Sequence, residues 1–256
     1  MTAATVTKLA FPSLRDRVGA EEWETRVELA ACYRLVAHHG WTHMIFNHIS
    51  ARVPGTKDQF LINPRGLHFE EITASSLVRI DVDGNVLSET DYEVIEAGFV
   101  IHSAVHRARH DVACVLHTHT EAGMAVAAQA CGLLPLSMSA CRFYNRIGYH
   151  DYEGVTLDLD ERERLVADLG PHMAVILRNH GLLTCGRTIG EAFCLMYELE
   201  KACASQVLAQ AGGALHIPPP EVCEHSAGQS SGRNTGEASW PAYVRMMDRL
   251  DPSYRD

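Results

Sequence analysis

The sequence predicts an α/β chain: one sheet with helices on both faces and several antiparallel strand pairs. Two observations carry this. Strand-like and helix-like stretches are mixed rather than strictly alternating, and no G-x-G-x-x-G motif occurs. Two hairpins are also legible. Residues 47–53 and 59–63 flank Pro54-Gly55-Thr56-Lys57-Asp58, and residues 77–82 and 85–87 flank Asp83-Gly84.

Taken in order, residues 1–20 read as an irregular arm. Residues 21–39 form a helix: Trp23, Val27, Ala31 and Leu35 recur every four positions, acidic groups fill the first turn and Gly40 ends it. After the first hairpin, Asn63-Pro64-Arg65-Gly66 breaks the strand pattern. Residues 91–110 are helical, with Val94, Phe99, Ile101 and Val105 as the apolar stripe. His102, His106 and His110 lie four apart on that helix, a row read as partly solvated surface. His102, nearest the helix start, is its member expected to point at a site.

Residues 121–130 are an Ala-rich helix, and residues 135–151 are mixed, with Phe143, Tyr144 and Tyr149 among them. Residues 160–169 are a short helix capped by Asp160 and ended by Gly170-Pro171. Residues 189–211 form a long amphipathic helix with Glu191, Glu198, Glu200 and Lys201 on its polar side. Pro218-Pro219-Pro220 marks the end of the compact body. Residues 226–239, rich in Ser and Gly, read as mobile, and residues 240–250 as a last helix able to dock on a neighbouring subunit. The resulting division is an arm (1–20), a main domain (21–215) and a C-terminal tail (216–256).

Composition excludes several functions. A net charge of -10 opposes binding to nucleic acid or to an anionic membrane surface. No apolar run approaches the roughly 18–20 residues that span a bilayer, and residues 1–11 lack a secretory h-region. The eight cysteines contain no C-x-x-C, and several sit in apolar runs, which reads as reduced, mostly buried thiols in a cytoplasmic protein.

The chemistry concentrates in Cys114-Val115-Leu116-His117-Thr118-His119 and in Arg178-Asn179-His180-Gly181, each preceded by an apolar run. In a strand, positions i and i+2 share a face, so His117 and His119 aim at one point while Thr118 faces away. A third imidazole from a neighbouring strand completes a three-histidine site with an open coordination position, the geometry of a catalytic metal. The bland reading of the same residues is two hydrogen-bonded histidines at a strand end.

These stretches, with Asn47-His48-Ile49-Ser50, Asn63-Pro64-Arg65-Gly66 and residues 102–109, resemble the class II aldolase/adducin family over residues 21–211. The resemblance implies a three-layer α/β/α fold around a mostly antiparallel central sheet. It implies a homotetramer with active sites between subunits. It also implies a divalent metal on His117, His119 and His180; zinc is expected, with iron, cobalt and manganese also suited to imidazoles.

The departures bear on activity. The family's sugar-phosphate aldolases carry an acid/base glutamate four residues before the histidine matching His102; here that position is Gly98. The Gly-Asn pair of the family's phosphate grip is Phe46-Asn47, and its serine pair is Glu96-Ala97, so bulk and negative charge oppose a phosphate dianion. Asn47 and Arg65 are expected to bind substrate, and His102 and Tyr144 to serve catalysis. Tyr144 reads equally as a core or interface aromatic. Arg65, like Arg142 and Arg146, is either a bidentate carboxylate clamp or a surface arginine.

The expected function is therefore a metal-dependent carbon–carbon lyase on a small, non-phosphorylated oxo- or hydroxyaryl acid. Decarboxylation is favoured over retro-aldol cleavage because it needs no base to break the bond. An aldolase on a hydroxy-oxo acid, a non-haem Fe(II) oxygenase and an adducin-like non-catalytic interaction protein are the alternatives.

Overall fold

The computed structural model describes residues 9, 11–94, 96–154, 160–231 and 236–256. The strands are β1 (His48–Arg52), β2 (Gln59–Ile62), β3 (Val78–Asp81), β4 (Cys114–Thr118), β5 (Gly148–His150), β6 (Ala174–Leu177) and β7 (Gly181–Gly186). They form one sheet in the order β3-β2-β1-β4-β7-β6-β5. Neighbouring strands are antiparallel except β5 and β6, which run parallel. The fold is thus α/β with a mixed, mostly antiparallel sheet flanked by helices, as the sequence predicts.

Strand alternation builds two cores. Cys114 and Leu116 of β4 pack with α1 (Ala20–His38), α6 (Ile189–Ala211) and α8 (Gly236–Leu250) on one face. Val115 between them packs with Ile101 and Val105 of α2 (Glu96–Ala108) and Leu165 and Leu169 of α5 (Glu161–Leu169) on the other. A smaller core of Phe60, Ile62, Val78 and Ile80 closes the β2–β3 end, with Phe99 packed against it. The short helices are α3 (Glu121–Ala127), α4 (Met138–Cys141) and α7 (Pro220–Ser230). Among the described residues, no helix is long and apolar enough to cross a membrane.

Several sequence expectations need correction. The helix expected over 91–110 begins at Glu96, and residues 91–94 are not helical. Only His110 of its histidine row, just past the helix end, is exposed: His102 and His106 are fully buried, because α2 lies across β1 and turns both rings onto the sheet. Glu191 and Glu200 are buried too. Arg187 pairs with Glu191, and two threonine hydroxyls donate to Glu200, which lets each carboxylate enter the core.

Polyproline does not end the compact body either. Pro220 opens α7, where its missing N–H costs nothing. Residues 226–230 and 236–239 are helical rather than mobile, and residues 232–235 lie outside the described residues. Trp240 and Met247 of α8 and the following Tyr254 are buried in the larger core of their own chain. All eight cysteines are free; seven are buried, and Cys131, in the turn after α3, is exposed.

Candidate metal centre

β4 and the turn between β6 and β7 bring three imidazoles together. Ligand atoms of His117, His119 and His180 all lie within 4.8 Å of one another. His117 sits on β4 in register with Leu183 of β7, and β7 begins right after His180. The turn is tight: Asn179 adopts φ 56°, a left-handed conformation that Asn tolerates better than most residues. Gly181 must lack a side chain. A β-carbon there would come 2.3 Å from the Thr118 carbonyl oxygen and 3.0 Å from His119 Cδ2.

The rings are set for metal binding. His117 Nδ1 donates to the Leu182 carbonyl at 2.8 Å, since a carbonyl can only accept. Its Nε2 therefore carries the lone pair, and it stands 2.6 Å from His119 Nε2. Two lone pairs at that distance repel unless a proton or a cation lies between them. His119 Nδ1 is held in turn by His43 Nδ1 at 3.3 Å, the outer contact that typically orients a ligating histidine. Burial, with the charge of neighbouring imidazoles, holds His117 well below the usual histidine range and pushes His119 down to about 3; His180 is lowered by burial and His150. Neutral imidazoles are the form that ligates. The donor set thus fits a divalent cation.

Thr118 and Thr120 point the other way. Both hydroxyls donate to the buried carboxylate of Glu200 on α6, at 3.0 and 2.7 Å, fixing the end of β4 from its opposite face.

The remaining candidates scatter. His102 does not join the three imidazoles; its Nε2 lies 2.7 Å from Nδ1 of His48, and its Nδ1 meets Ser50 Oγ at 2.5 Å. Asn47 is buried near the site, its Oδ1 accepting from the His43 N–H, while its amide Nδ2 has no partner among the described residues. Arg65 is a surface residue, 64% exposed and paired with Glu93 at 3.3 Å. Tyr144 lines a separate cavity with Leu133, Phe143, Ile147 and Tyr149. Tyr152 instead approaches the site, with ring centroids 6.4 Å from His180. The Glu96 side chain lies outside the described residues.

Sequence reasoning missed His48. It pairs with His117 across β1 and β4, and the two rings lie 5.0 Å apart between centroids. Its ring covers Gly98: a β-carbon built there would sit 2.8 Å from His48 Cδ2. The available signal was the i, i+2 spacing of His48 and Ser50 beside the i, i+4 spacing of His102 and His106. Only the packing of α2 across β1, which no local pattern gives, brings the two pairs together.

Comparison with known proteins bears on the family and the fold. Residues 27–207 match the family model described as the Class II Aldolase and Adducin N-terminal domain. A Pseudomonas aeruginosa protein carried under a provisional aldolase class 2 name is 54% identical over 94% of this chain and 96% of its own length. Alpha-adducin of Rattus norvegicus is 42% identical over 88% of this chain, which spans only 33% of the adducin. The structure of an L-fuculose 1-phosphate aldolase from Glaciozyma antarctica superposes with a TM-score of 0.84 at 28% identity, covering 98% of this chain and 97% of that one.

Proposed function

The chain belongs to the class II aldolase and adducin family, and from that premise we propose that it is a divalent-metal-dependent carbon–carbon lyase acting on a small, non-phosphorylated oxo- or hydroxyaryl acid. The observation that carries the reading is the convergence of His117, His119 and His180. These three residues hold the ion, zinc by preference of an imidazole set. When bound, a divalent cation supplies Lewis acidity toward the carbonyl and carboxylate oxygens of such a substrate.

The chain's own residues support the choice of substrate and of reaction. The exposed Phe46 ring precedes Asn47, so the loop presents bulk where a phosphate would need room. The unpartnered Asn47 amide is a donor available to a substrate oxygen. Gly98 contributes no carboxylate, and the imidazole of His48 fills the space above it. Decarboxylation, which needs no base for bond breaking, is therefore favoured over retro-aldol cleavage. Tyr144, whose cavity stands apart from the imidazoles of its own chain, is proposed to serve the site of an adjacent subunit in a homotetramer, and Arg65 to clamp a substrate carboxylate.

The test is one assay on zinc-loaded protein. A panel of 3-oxo acids, hydroxyaryl acids and 4-hydroxy-2-oxo acids is scored for released carbon dioxide and, separately, for released pyruvate and aldehyde. Carbon dioxide released with one equivalent of the decarboxylated ketone or phenol supports the proposal. Pyruvate and an aldehyde in equal amounts would convert it to aldol cleavage. Protein that retains no metal and turns over nothing would leave the adducin-like, non-catalytic role.

A further inference from the structure

Behind the three imidazoles runs a second set of polar groups, on the face of the sheet that α2 covers. His48 Nδ1 lies 2.7 Å from His102 Nε2, His102 Nδ1 lies 2.5 Å from Ser50 Oγ, and Ser50 Oγ lies 2.8 Å from His106 Nε2. His48 is 3% exposed and the other three not at all. The chain ends at His106, which stacks on Phe60 and whose Nδ1 is buried without a partner among the described residues. At the other end, His48 Nε2 has no hydrogen-bond partner among the described residues, beside His117.

The dead end fixes the direction of every hydrogen in the chain. Each neutral imidazole has one N–H and one lone pair, and the serine has one O–H. If Ser50 donated to His106, an N–H would be stranded at His106 Nδ1 in the apolar interior. If both rings donated to Ser50, its own O–H would be stranded. Leaving a lone pair at His106 Nδ1 is the mildest option, because buried N–H groups without partners are the rarer defect. His106 then donates to Ser50, Ser50 to His102 Nδ1, and His102 Nε2 to His48 Nδ1. His48 is left with its hydrogen on Nε2.

We propose that His48 presents this Nε2–H to the metal site as a hydrogen-bond donor to an anionic oxygen of the substrate, held in that tautomer by His102, Ser50 and His106. The proposal rests on the reading that the site takes a small organic acid. It assigns to β1 a substrate contact, and it makes His102 a positioning residue acting through His48 rather than a catalytic one. The ring's seat over Gly98 fixes its angle as the hydrogen-bonded chain fixes its proton.

The experiment uses full-length, zinc-loaded protein with 15N-labelled histidine, and oxalate as the probe anion. Nitrogen chemical shifts, assigned by comparison with His48→Gln, are expected to show His48 protonated at Nε2 and bare at Nδ1. Calorimetry is expected to show His48→Phe, which keeps an aromatic ring over Gly98, binding oxalate about 10- to 100-fold more weakly at unchanged zinc content, the loss for one hydrogen bond to a charged group. His48→Gln, which retains an N–H donor, should recover most of the affinity, and Ser50→Ala should weaken it while scrambling the His48 tautomer. A bare Nε2, or unaltered oxalate affinity in zinc-replete His48→Phe, overturns the proposal; so does wild-type protein that holds zinc and ignores oxalate. Failure of the wild type to hold zinc overturns the metal reading instead, and the nitrogen shifts of the zinc-free protein then still decide the tautomer.

Discussion

The imidazole of His48 rests on the bare backbone of Gly98, so close that a single methyl group at position 98 would lie 2.8 Å from the ring. Histidine and glycine are therefore a complementary pair, and their substitutions must be coupled. Gly98→Ala alone is expected to destabilise the protein by about 1–3 kcal/mol through overpacking. In a His48→Ala background the same change should stabilise by about 0.5–1 kcal/mol, the ordinary helix preference for alanine. Urea denaturation of the four proteins measures the cycle. Additive effects would mean that the contact carries no energy.

Removing one ligand should empty the metal site without unfolding the chain. His117→Ala and His180→Ala each leave two imidazoles, too few for a structural or catalytic zinc site. Elemental analysis is expected to fall from about one zinc per chain to near zero, with an unchanged far-UV circular dichroism spectrum. Zinc retained in both variants would locate the ion elsewhere.

The buried imidazoles make the metal-free protein acid-labile. Burial holds His48, His102 and His117 well below the ordinary value of 6.5 and pushes His106 down to about 3. A depressed value means that the unfolded chain takes up protons first. The associated stability is complete above pH 6.5 and is lost as the pH falls below it. Each such group contributes a slope of about 1.4 kcal/mol per pH unit, so these four approach about 5 kcal/mol per unit. Against a typical stability of about 5–15 kcal/mol, unfolding should follow within one to three units below pH 6.5. Urea midpoints in EDTA at pH 7, 6 and 5 provide the check, and a flat profile would contradict it.

Glu200 should show the opposite sign. Burial raises its carboxyl, although Thr120 and Thr118 donate to it. A raised acid favours folding while protonated, so stability is lost as the pH rises from the unfolded value near 4.5 through the folded one. Glu200→Gln keeps an oxygen for the threonine hydroxyls and carries no charge. Its melting temperature relative to wild type should therefore climb between pH 4.5 and 8. A constant difference would show that the carboxylate is comfortably ionised in the fold.

Much of this molecule is legible in its residues. The helix of residues 189–211 matches its apolar spacing, bounded by Thr188 and Gly212. His117 and His119 share a face as alternate positions of an extended segment, with Thr118 between them turned to Glu200 on the other. What local pattern cannot supply is register. That β1 slides until His48 faces His117 is decided by the pairing of neighbouring strands, and the burial of His102 and His106 by the packing of α2 across β1. Charge misled in the same way. Glu191 and Glu200 read as solvated because their partners, Arg187 aside, lie some eighty positions away in sequence at Thr118 and Thr120. The C-terminal stretch misled through composition: Ser226, Gly228, Ser230, Gly236 and Ser239 occupy helix positions, and Trp240 supplies the anchor.

Seven sulfhydryls lie in the interior, where burial lifts Cys194 to about 11 and Cys185 to about 12. Cys131 alone meets solvent. A maleimide dye should therefore mark one position on the native fold, beside the Tyr149 hydroxyl that Gly132 accommodates. Further dye uptake would then count molecules that have opened, giving a clock for unfolding without any engineered residue.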